Sequence, residues 1–101
     1  MTSSDLKSLA TDELVDLFAH ISEARGDAIF ESVLPDDDPS VAAAREAALQ
    51  KSAKLFREMN SVDRELRSRG PAARRAFMQL YEYPDVQVGL DAARATLGYR
   101  L

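Results

Sequence analysis

Cysteine and tryptophan are absent from this sequence, histidine occurs once, and glycine and proline occur four times each. Without thiols there is no disulfide framework, no thiolate nucleophile and no cysteine-ligated zinc. No apolar run approaches the ~20 residues that a membrane-spanning helix needs. The opening MTSSDLKSLA lacks the apolar core of a secretion signal, so the cytoplasm is the expected location. Aromatics make up 7% of the chain, and β-branched residues never alternate with polar ones over a strand length, so nothing announces a sheet. Neither a glycine-rich phosphate loop nor a Gly-x-Ser-x-Gly elbow occurs. The sequence therefore predicts neither an enzyme nor a cofactor.

What is present is helical period. With 101 residues, 46% of them apolar, the chain holds one small domain. Residues 1–10 carry no pattern and are expected to be disordered. Thr11 followed by Asp12 and Glu13 reads as a capped helix start, with carboxylates at the positive end of the dipole. Leu14, Leu17, Phe18, Ile21 and Ala24 or Ala28 then share a face, and Gly26 is expected to bend or fray the helix before Phe30 and Val33. The segment Leu34-Pro35-Asp36-Asp37-Asp38-Pro39 is an acidic linker whose end, Asp38-Pro39, suits a new helix start. From Pro39 to Arg69 nothing breaks a helix, and Ala48, Ser52, Leu55, Met59, Val62 and Leu66 recur at steps of four and three. Gly70-Pro71 turns the chain into a third helix with Ala73, Phe77, Leu80 and Tyr81 inside. Tyr83-Pro84-Asp85 makes a corner, and Asp85 caps a fourth helix ending near Leu97-Gly98. The expected fold is all-α: four helices in antiparallel αα-hairpins, either a right-handed array like HEAT or armadillo repeats or a small bundle.

The fourth helix carries two apolar tracks. Val86, Leu90, Ala93 and Leu97 form one; Val88, Ala92 and Ala95 form the other. A single neighbour cannot cover both, so one track is left for a partner, a second copy or water. The track Val88, Ala92, Ala95, continued by Tyr99, is the expected protein interface.

Residues Ala73 to Gly98, with the Tyr83-Pro84-Asp85 corner, Val88 and the Leu97-Gly98 close, resemble one HEAT-type helical repeat. Gly89 stands where that repeat places an arginine, which puts its usual ion-pair ladder in doubt. More broadly, DELVDLF (Asp12 to Phe18), the long arginine-bearing helix ending RSRG, and YPDVQVGLDAARATL resemble a family of small bacterial helical proteins catalogued as a domain of unknown function. The resemblance implies a helical fold and no assigned reaction.

The polar candidates are few. His20 sits at the edge of an apolar face with Asp16 and Glu23 as ordinary helix neighbours, too few ligands for a metal. Asp36, Asp37 and Asp38 lack the EF-hand spacing and read as a solvated loop, with cation binding the lesser alternative. Arg64, Arg67, Arg69, Arg74 and Arg75 gather around Gly70-Pro71 beside the free N–H groups of a helix start, which would suit an anion; Asp63 and Glu65 neutralise part of that cluster. Residues 1–47 hold eleven acids and three bases, and residues 48–101 hold six acids and ten bases. Folding is expected to lay the acidic helix against the basic one. The expected function is a non-catalytic protein-interaction module that binds another protein or a second copy through its last helix. The alternative is an anion or nucleic-acid contact through the arginine corner, although the net charge of -4 makes a general nucleic-acid surface a poor expectation.

Overall fold

The computed structural model describes residues 3–33 and 39–97. They form α1 (Ser3–Lys7), α2 (Thr11–Ser32), α3 (Pro39–Ser68), α4 (Pro71–Met78), a 3₁₀ turn (Gln79–Glu82) and α5 (Val86–Leu97), with no strand among the described residues. All-α is therefore the fold class, with five α-helices where four were expected. The additional one is α1, which replaces the disorder expected at the N-terminus. Leu6 of α1 is buried in the core, which anchors this short helix on its apolar side. The acidic segment 34–38 lies outside the described residues.

The pattern of the two long helices is read directly by their packing. Leu14, Phe18, Ile21 and Ala28 of α2 and Ala48, Met59, Val62 and Leu66 of α3 are buried, while Leu17 and Leu55 are half-buried at the margins. Arg69, just past α3, donates to the Thr11 hydroxyl at the start of α2 (3.2 Å), and Arg45 near the start of α3 donates to the Ser32 carbonyl (3.2 Å). The two helices therefore run in opposite senses. At 30 residues α3 is about 45 Å long by helix rise, which sets the long dimension of a molecule measuring 49 × 29 × 20 Å.

The acidic helix does lie against the basic one, but through apolar side chains. Among the described residues no ion pair joins α2 to α3. Charge is thus left on the two outer faces.

The helix starts depart from expectation in one place. Ala10, with no side-chain oxygen, is the N-cap of α2, and the Glu13 carboxylate accepts the Ala10 N–H at 3.0 Å. Thr11 is instead the acceptor for Arg69. Asp85 does cap α5, its carboxylate taking the Gln87 N–H at 2.9 Å. Gly70 has φ +82, a left-handed conformation that side-chain-bearing residues rarely adopt, and Pro71 follows as the first residue of α4.

Gly26 does not fray α2, which passes through it unbroken. A Cβ at this position would sit 3.3 Å from Cγ of Gln87. The glycine serves a close approach of α5 to α2, a tertiary requirement that outweighs its roughly 1 kcal/mol propensity cost. Phe77 of α4 completes the centre, edge-on to Phe18 with centroids 4.8 Å apart and rings at 88°.

Candidate functional site

The two tracks of α5 are sorted by the fold in the opposite way from expectation. Val88 and Ala92 are fully buried and Ala95 is 7% exposed, all three belonging to the same core as Phe18 and Phe77. They are unavailable to a partner, and Tyr99 lies outside the described residues. The track left outside is Val86 (75% exposed), Leu90 (56%) and Leu97 (86%).

Size and polar chemistry explain the choice. Helix axes approach more closely where the contact residues are small, and the alanine track permits α5 to lie against α2 and α4. Two polar groups beside that track then find partners only on the chain's own elements. Ser22 of α2 donates its hydroxyl to Asp91 at 2.6 Å, and Gln87 donates to the other Asp91 oxygen at 3.0 Å. Arg25 reaches the same carboxylate at 3.5 Å and Arg94 at 3.9 Å, while the Asp91 side chain is entirely shielded from solvent. Thr96 shares a hydroxyl hydrogen bond with Tyr81. Rotating α5 to present its other track would return the Asp91 carboxylate to water but leave Ser22 and Arg25 of α2 without their partner, and an unpaired group shielded from solvent is costly.

This Asp91 cluster escaped the sequence reading. Its one signal was an aspartate between apolar tracks, Leu90-Asp91-Ala92, and only the fold supplies Ser22 as its partner. Arg25 also lies over the Phe56 ring, 4.9 Å from the centroid. A recess of about 110 Å³ opens beside the cluster, bordered by Asn60, Asp63, Arg67 and Arg94. Its acids and guanidinium groups balance one another. Burial raises the Asp63 pKa above the ordinary aspartate value, against the opposing pull of Arg67 and Arg64.

Three of the five arginines expected to make an anion site are drawn into separate contacts. Arg67 pairs with Asp63 at 3.0 Å and donates to the Ala95 carbonyl at 3.4 Å. Arg69 pairs with Glu65 at 3.4 Å and also donates to Thr11 and to the carbonyls of Leu6 (3.3 Å) and Lys7 (3.4 Å), tying α1 and the start of α2 to the end of α3. Arg74 approaches Met78 Sδ at 4.0 Å. Arg64 and Arg75 point into solvent. His20 is exposed, with Nδ1 2.7 Å from the Asp16 carbonyl of its own helix. Among the described residues no three ligating side chains converge on a metal position, and no helix is long and apolar enough to cross a membrane. Asp36, Asp37 and Asp38 lie outside the described residues.

Residues 38–100 match a family model described as a domain of unknown function. The match spans α3, α4 and α5, and leaves the DELVDLF segment of α2 outside it. No curated protein and no solved structure matches the chain.

Proposed function

Because the chain belongs to the DUF2019 family, whose description assigns no activity, we propose that it is a non-catalytic, cytoplasmic protein-interaction module. In this reading its helices form antiparallel, HEAT-like αα-hairpins, and it docks another protein on the outer face of α5. The observation that carries the proposal is the row Val86, Leu90, Leu97. Steps of four and seven keep these side chains within one narrow stripe, about 16 Å long by helix rise. All three are more than half exposed. Burying a large aliphatic side chain contributes about 1.5–3 kcal/mol before ordering costs, so three such residues suffice as the centre of an interface.

The docking residues are therefore Val86, Leu90 and Leu97 in place of Val88, Ala92 and Ala95. A tagged chain retains its partner from a native lysate, and Leu90→Asp with Leu97→Asp releases that partner while helicity and Tm stay unchanged. Retention by the double variant would refute this face. Light scattering at several concentrations, with Leu90→Asp run beside the parent chain, separates a different protein from a second copy docked on α5. The alternative reading, anion contact, keeps Arg64 and Arg75 as its exposed residues and predicts binding that weakens steeply with salt.

A further inference from the structure

The outer faces of α2 and α3 carry opposite charge. On α2 the face turned away from α3 presents Asp12, Asp16, Asp27 and Glu31, all exposed, and Phe30, 67% exposed. Phe30 lies among these acids, three residues after Asp27 and one before Glu31. On α3 the exposed cations Lys54, Arg57 and Arg64 fall at steps of three and seven, on one stripe. None of these seven charged side chains has an ion-pair partner among the described residues.

Lys54, Arg57, Glu58 and Ser61 form the rim of a trough of about 360 Å³ between α1, α2 and α3, floored by Leu6, Ile21 and Val62, and the two cations outnumber the one acid. That volume compares with the roughly 150 Å³ that accommodates a benzene ring. We propose that the trough receives Phe30 of a second copy of this chain, with Asp27 and Glu31 of that copy meeting Lys54 and Arg57 on the rim.

The occupant follows from charge and shape together. A trough with a net positive rim, Lys54 and Arg57 against Glu58, and an apolar floor suits an aromatic side chain flanked by carboxylates, and the chain itself displays that combination on a solvent-facing helix. Guanidinium and ammonium groups at the rim also favour the face of the inserted ring. The knob is on the outer side of α2, whereas the trough opens along α3. One contact therefore leaves a free knob on one copy and a free trough on the other. Such a head-to-tail interface does not close on itself as a two-fold dimer does, and it adds copies in a row or a ring.

The test uses the full chain and sedimentation velocity at rising concentration. At low salt the apparent mass is expected to climb from the 11.1 kDa monomer to about twice that value and beyond, and to fall back at about 0.5 M salt, where screening is strong. Phe30→Ala is expected to hold the chain at monomer mass, as are Lys54→Glu with Arg57→Glu, and Asp27→Lys with Glu31→Lys, each measured alone. All these positions are exposed. Mixing the two charge-reversed variants is expected to restore assembly, because each then offers the face the other lacks; misfolded chains would not recover on mixing. Leu90→Asp is expected to leave assembly intact, which separates this contact from the α5 face. Monomer mass at every concentration overturns the proposal. So does assembly that survives Phe30→Ala, a mixture that stays monomeric, or assembly lost on Leu90→Asp.

Discussion

Ser22 and Asp91, 69 positions apart in sequence, share a 2.6 Å hydrogen bond at the contact between α2 and α5. This bond and the Arg25 ion pair join the inward side of α5 to α2, while Val86, Leu90 and Leu97 on the other side stay exposed. Removing the carboxylate leaves Arg25, whose side chain is 16% exposed, without its counter-charge. Asp91→Ala is expected to lower unfolding stability by about 3 kcal/mol, and Ser22→Ala by about 1–2 kcal/mol. Urea unfolding of the two single variants and the double variant checks both values. The double variant should cost less than the sum of the singles, since both remove the same bond.

Arg69 joins α1, the start of α2 and the end of α3 through its contacts to Glu65, Thr11, Leu6 and Lys7. Arg69→Ala is expected to loosen α1 first. Hydrogen exchange should rise in residues 3–10 with little change across the centre of α3, because the Phe18–Phe77 contact is untouched. Uniform loss of protection over the whole chain would contradict this local role.

Asp63 titrates above the usual aspartate value because burial outweighs the help of Arg67 and Arg64. A carboxyl raised in the folded state favours folding at low pH, and that contribution is lost as pH rises through the folded-state value. Asp63→Asn removes the burial of a charge, so the variant is expected to melt no lower than the parent chain at pH 7. Its relative advantage should shrink as pH falls through the carboxylate range. Thermal melts of both proteins between pH 3 and pH 7 give the comparison, and a variant that melts lower at pH 7 would show that the Arg67 pair dominates.

Local pattern was legible where it needed no distant partner. The apolar periods of Leu14 to Ala28 and Ala48 to Leu66 marked the faces that became core, and Gly70-Pro71 and Asp85 marked a turn and a cap that the structure contains. Gly26 was misread because a helix-weakening residue looks the same whether it breaks a helix or makes room for another. The nearby side chain of Gln87 distinguishes the two cases. Leu6 was missed because one leucine among polar residues carries no period, yet it is 2% exposed in the fold.

Spacing within one helix is enough to establish that the chain is helical, where its long helices lie, and that α5 has two apolar tracks. Packing between helices is what puts Val88, Ala92 and Ala95 inside and leaves Val86, Leu90 and Leu97 outside. A helix alone treats its two apolar faces alike. Their difference arises from what the neighbouring helices offer: the small residues on one side permit close packing, and there Asp91 meets Ser22 and Arg25 of α2.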